Sequence, residues 1–214
     1  MTDSLTNFLQ GVALAYDALP HTPTDRATLD AYDALKRGLL VQYRTIPYRV
    51  RFTSDNPYQT ARDMMKEVAA FHTLYVYTGG ELPADHPLSA PIECNAITSG
   101  PAYDGITYNH IFRAVHDGLI HIPHGLGFTA SDEFRAFQLH AAMFVQPFGR
   151  CWGIQTTYAG KDSAAVLALA TETLAQIAWF YYGPRSHETP RPYAPQKAGL
   201  LPVSTVIAAL NFTL

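Results

Sequence analysis

The sequence predicts a mainly α-helical fold, a single helical domain over residues 1–214 with a minor short strand pair. Two patterns carry that expectation. Apolar side chains recur every three or four positions through most of the chain, and Pro or Gly clusters interrupt them at helix-length intervals. Only two short segments, Arg49 to Thr53 and Leu74 to Tyr77, have the alternation or the aromatic and branched content of strands.

In order along the chain, Leu5, Phe8, Leu9, Val12, Tyr16 and Leu19 mark one face of a first helix, which Pro20 and Pro23 stop. Thr24 or Asp25 can cap a second, with Leu29, Tyr32, Leu35, Leu39 and Tyr43 on its apolar face and Pro47 at its end. A helix is expected from about Tyr58 to Phe71, carrying Met64, Met65 and Val68 ahead of the β-prone run, and Gly79-Gly80 closes that run. From 81 to 104, four prolines deny any long helix and predict a wrapping loop. A helix restarts near Thr107 and reaches about His121, and Pro123, Gly125 and Gly127 turn the chain. Ser131 is then the expected cap of a helix from Asp132 to Val145. Gly149 to Gly160 reads as irregular. The strongest helical signal, rich in Ala and Leu, runs from Asp162 to Tyr182 and is ended by Gly183-Pro184. A Pro-rich tail, 184–202, is expected along the surface, and Val203 to Leu210 as a last short helix.

Composition narrows the function. Hydrophobic residues make up 48% and charged residues 15% of 214, which suits an ordered globule. A net charge of -3 and the absence of any Lys/Arg cluster provide no field for a phosphate backbone, so no nucleic-acid partner is expected. The opening Met1-Thr2-Asp3-Ser4 lacks the features of a secretory signal, and the apolar stretch from Ala164 to Tyr182 is broken by Glu172 and Gln176. A cytoplasmic protein without a membrane span is therefore expected, with Cys94 and Cys151 as free thiols.

The chemistry gathers around histidine. Five of the nine histidines, His110, His116, His121, His124 and His140, fall within 31 residues. Imidazole is a common ligand for iron and zinc, and a catalytic centre needs two or three such ligands plus a carboxylate. His116 and His121, five apart, differ by roughly 140 degrees on a regular helix and converge only where the helix loosens, for which Gly118 offers backbone freedom. Glu133 and His140, seven apart, share a helix face. Glu172 lies in an otherwise apolar helix, where an acid needs a partner, either a metal or a basic tail residue such as Arg185 or Lys197. Asp117 stands one turn before His121 and can orient its ring or pair with Arg113.

The run His116-Asp117-Gly118-Leu119-Ile120-His121-Ile122-Pro123 resembles the iron-binding His-Glu-x-x-Gly-His-x-Pro motif of the pterin-dependent aromatic amino acid hydroxylases, with identical spacing of the histidines. Leu174 to Phe180 is similar to the segment that precedes the third, acidic ligand of that family. Tyr181, Tyr182 and Gly183 stand here where the acid is expected, and Ile120 replaces the family glycine. The resemblance implies Fe(II), with Zn or Mn as alternatives, held by His116, His121 and Glu172, or by Glu133 in place of Glu172. It further implies hydroxylation, here of a small or planar substrate; from their own placement Asp117, Glu133 and His140 are expected in catalytic roles. The broader pattern Asn109-x-x-Phe112-Arg113-x-Val115-His116-Asp117, continued by His121, Phe128, Glu133, His140 and Thr171-Glu172, resembles an uncharacterised family of small proteins in phages of actinobacteria, which implies a host-cytoplasmic viral protein. The adjacent His116-Asp117 pair also fits a metal-dependent phosphohydrolase of the His-Asp type. The remaining alternative is a non-enzymatic protein that binds a host factor. A homo-oligomer is compatible with all three.

Overall fold

A computed structural model describes residues 3–80, 82–92, 105–145 and 164–213. Both cysteines, the irregular stretch 149–160 and most of the 81–104 loop lie outside these. The fold is mainly α, and the strand pair is the one the sequence points to. The chain divides into two compact units, one of Met1–Leu35 with Thr129–Leu214 and the other of Lys36–Phe128. It passes from the first to the second inside one helix, α2 (Arg26–Tyr43), whose N-terminus Asp25 caps by accepting the Thr28 N–H at 3.0 Å.

The first unit is a helical assembly. Helix α1 (Asp3–Asp17) buries Leu5, Leu9, Val12 and Tyr16 against the long rod Ala164–Tyr182, which also packs on the helix Ala130–Val145. Each fully buried Leu or Phe here contributes roughly 1.5–3 kcal/mol. The helix Ala130–Val145 is capped by Thr129, whose hydroxyl oxygen accepts the Asp132 N–H at 3.3 Å, and not by Ser131, which already lies in its first turn. Phe8, Phe134 and Phe212 form an aromatic triangle with ring centroids 5.3–5.9 Å apart. That triangle seats the last helix, Val203–Asn211, and Gln138 binds the carbonyls of Ala209 and Phe212 at its end. The rod is long and apolar enough to cross a bilayer by length and composition, and 67% of it is buried within the protein.

The tail is less superficial than its prolines suggest. Ala194, Ala198 and Leu201 are buried. Tyr16 donates to Pro195 O at 2.5 Å, the Ala198 N–H donates to His21 Nδ1 at 2.9 Å, and Thr171 donates to Gly199 O at 2.9 Å. A segment short of N–H donors can still be tied down through its carbonyls.

The second unit is a strand–helix–strand motif with a helix laid on it. Strands β1 (Arg49–Thr53) and β2 (Thr73–Tyr77) pair in parallel, Arg49 opposite Thr73 through Thr53 opposite Tyr77. Parallel strands need a crossover, and α3 (Ala61–Phe71) supplies it. It starts three residues later than the hydrophobic pattern suggests because the Thr60 hydroxyl accepts the Asp63 N–H at 3.2 Å as its cap. Tyr58, left outside, accepts the Tyr75 N–H at 2.9 Å. Helix α4 (Tyr108–His116) packs on β2.

Candidate metal centre

Helix α4 does not stop at His116. It continues through a π-helical turn, Asp117–His121, into a short α-turn, Ile122–His124, and ends where Gly125 takes φ +65°. The wider π turn accommodates one extra residue, so side chains five apart come onto one side instead of diverging. The ring centroids of His116 and His121 are 4.8 Å apart at an interplanar angle of 72°. A ring nitrogen of one lies within 4.8 Å of a ring nitrogen of the other.

The loosening has the position the sequence suggests, but Gly118 enables it for a different reason. Its φ is not positive, so it needs no glycine-specific backbone. A Cβ there would meet Ile46 Cγ2 and Leu74 Cδ2, each at 3.3 Å, so what Gly118 provides is close approach to the core. Phe112, one turn earlier, stacks on His116 with centroids 5.9 Å apart and planes 9° from parallel, while Phe128 meets the His121 ring edge-on at 5.3 Å. Both imidazoles are thus held between aromatic walls, His116 at 8% exposure and His121 at 1%.

The His121 tautomer follows from chemistry. Its Nδ1 lies 3.2 Å from Leu126 O, and a carbonyl can only accept, so Nδ1 bears the hydrogen and in the neutral ring the buried Nε2 carries the lone pair. This is the arrangement of a metal-binding histidine whose other nitrogen is oriented by the backbone. Arg113 turns away from the pair to the carbonyls of Tyr77, Gly79 and Gly80 at 2.6–3.3 Å, tying α4 to the end of β2.

The structure therefore brings His116 and His121 together within the second unit, with Asp117 half-buried between them in sequence. Glu133, His140 and Glu172 belong to the first unit. Glu133 lies half-buried in the first turn of its helix, and His140, two turns on, is fully buried with its ring 5.6 Å from Phe144.

Glu172 stands in a second π-helical turn, Thr171–Ala175, at the middle of the rod. Its Oε1 accepts a short hydrogen bond from the Tyr32 hydroxyl, and Oε2 accepts from Gln176 Nε2 at 3.1 Å. Gln196 in turn donates to Gln176 Oε1 at 3.2 Å. Burial, with the Glu172 charge beside it, pushes the Tyr32 hydroxyl well above its ordinary value, so it stays protonated and donates. The two basic tail residues go elsewhere. Lys197 donates to the carbonyls of Tyr16 and Asp17, and Arg185 to Glu188. A π turn frees a carbonyl from the helical ladder; the Thr173 hydroxyl donates back to Leu169 O at 2.8 Å, and the Thr171 hydroxyl shares its one hydrogen between Gly199 O at 2.9 Å and Leu167 O at 3.3 Å. Thr-Glu-Thr inside an Ala/Leu-rich helix was the signal for this turn. Tyr32 on a wholly apolar helix face was the signal for its partner, since a buried tyrosine hydroxyl needs one.

No protein-family model, curated protein or solved structure matches the chain.

Proposed function

We propose that the protein is a metal-dependent enzyme in which His116 and His121 hold a divalent ion, Fe(II) first, as part of a non-heme oxygenase. The observation that supports this reading is the π turn that sets two buried imidazoles side by side, with the lone pair of His121 on Nε2. Two nitrogens on one ion lie roughly 3.0–3.4 Å apart at metal–nitrogen bonds of about 2.0–2.1 Å. The ring nitrogens lie within 4.8 Å of each other, and metal binding would have to draw them closer. Gly118 lets the turn approach Ile46 and Leu74, Phe112 and Phe128 restrict the rings to that orientation, and the Leu126 carbonyl fixes the His121 tautomer.

A carboxylate is the third ligand in this proposal. Glu172 is the first candidate from the sequence and Glu133 the second, but both Glu172 oxygens already accept hydrogen bonds, from Tyr32 and Gln176, which favours Glu133; Asp117 would orient His121, and His140 would position substrate or water. Fe(II) held this way would leave positions for dioxygen, and with a two-electron reducing co-substrate one oxygen atom would go to a small or planar substrate and the other to water.

The test is elemental analysis of protein purified without affinity-column metals, followed by anaerobic Fe(II) loading and nitric oxide addition. One ion per chain and an S = 3/2 signal from the nitrosyl are expected. His116→Ala and His121→Ala should each lose the ion while keeping the helical circular dichroism, and Glu172→Ala and Glu133→Ala distinguish the acids. Full metal occupancy in both histidine variants overturns the assignment. Release of phosphate from nucleotides with Mn(II) would point to a hydrolase instead.

A further inference from the structure

A cleft of about 380 Å³ opens in the second unit at the N-terminus of α4, at the opposite end of that helix from the π turn. Thr78, Gly80, Ser89, Thr107, Asn109 and His110 contribute to its lining. Its size is at the lower end of the range for small-molecule sites.

Most of the polar groups around it are engaged. His110 Nδ1 accepts the Thr107 N–H at 3.0 Å, so His110 is neutral with its hydrogen on Nε2, which donates to Thr78 O at 3.2 Å. Thr78 donates to Thr53 O and Ser89 to Pro83 O. Asn109 is the exception. It is 9% exposed, it lines the cleft, and among the described residues neither its carboxamide nor its backbone N–H makes a hydrogen bond. The carboxamide oxygen and nitrogen are not among the fully buried unpaired atoms, so what exposure they keep is in reach of a ligand or water, the usual partner of such a group.

Two described groups contribute positive charge at that point. The first turn of α4 contributes about half a unit charge, and the Arg113 guanidinium sits on the Gly79 and Gly80 carbonyls at the rim. Gly80, at φ +73°, also keeps the rim low, since a Cβ there would lie 3.1 Å from the Arg113 guanidinium. Among the described residues, no lysine or arginine lines the cleft itself. A helix end with neutral donors suits one negative charge, whereas a dianion calls for full cations. From this geometry we infer that the cleft binds the carboxylate of a small molecule, one oxygen taking the Asn109 backbone N–H and the other its side-chain N–H. This site is independent of the metal centre.

The probe is sodium acetate, titrated into the full-length protein while 1H–15N spectra are recorded. Saturable shifts are expected for the Asn109 backbone and side-chain amides and for Gly80, with no matching response to methylammonium chloride. Asn109→Asp, which puts a like charge on the ligand, should weaken the effect at least tenfold. Retained melting temperature shows that the variant is folded, and the wild-type titration stands even if it is not. The inference is overturned if Asn109 does not respond to acetate, if methylammonium gives equal shifts, or if inorganic phosphate binds more than tenfold more tightly than acetate.

Discussion

Replacing Tyr32 with phenylalanine removes a single oxygen from the interior of the first unit, and the structure sets the size of the effect. Tyr32 is fully buried, its hydroxyl donates to Glu172, and it accepts the backbone N–H of Gly199. The bond to a carboxylate contributes about 1.5–3 kcal/mol and the neutral one about 0.5–1.5 kcal/mol, and phenylalanine otherwise fills the same space. Two bonds sharing one oxygen do not add fully, so Tyr32→Phe should lose about 3 kcal/mol. At roughly 3 °C per kcal/mol for a chain of this size, the melting temperature should fall by on the order of 9 °C. Glu172→Gln is the companion variant. Its carboxamide oxygen still accepts from Tyr32, but its amide nitrogen faces the Gln176 donor, so about 2 kcal/mol is expected, the loss of charge at one acceptor and of the other bond. Urea unfolding followed by circular dichroism measures both. A loss below about 0.5 kcal/mol for Tyr32→Phe would refute the claim that this hydroxyl anchors the acid.

Burial, reinforced by the nearby Arg113 charge, holds the His110 imidazole below its ordinary value, and its bond from Thr107 requires the neutral ring. The unfolded chain therefore binds the proton first as pH falls, so this contribution is complete above about pH 6.5 and is lost as pH drops through the folded value. His110→Gln keeps an acceptor at the third helical position but does not titrate. Between pH 8 and pH 5 its urea midpoint should fall less than that of wild type, and parallel curves would contradict the assignment. Gly118→Val would drive branched carbons past the 3.3 Å contacts with Ile46 and Leu74, costing about 2–3 kcal/mol and weakening metal uptake. Unchanged stability and metal content in that variant would remove the steric role assigned to the glycine.

What the sequence conveys follows the range of the interaction. Helices with an apolar stripe and a nearby cap, such as α2 behind Asp25, are legible because the determinants are within a few residues. Starts shift where two hydroxyls compete, as with Thr129 over Ser131, since hydroxyls two positions apart are chemically alike. The division into two units is invisible because it falls within α2, whose pattern continues unbroken through Leu35 and Lys36. The Tyr32–Glu172 bond joins residues 140 apart in sequence, and no local periodicity encodes such a pairing.

The π turn at Asp117–His121 is the instructive case, because a spacing that violates helical period was itself the signal. Two histidines at five residues are useless to one another on an α-helix, so their presence implies either indifference or a distortion that unites them. The structure has the distortion, and it has a second one at Thr171–Ala175 around the buried acid that the sequence marks as anomalous. A π turn forfeits regular hydrogen bonding and persists where the surroundings over-determine it. Here Gly118 against Ile46 and Leu74 supplies that constraint on one turn, and the Thr171 and Thr173 hydroxyls supply it on the other. On the second turn the acid is held by Tyr32 and Gln176. On the first, a shared metal is the proposed reason for the histidine pair, and so the metal measurement on the His116 and His121 variants ranks ahead of any search for substrate.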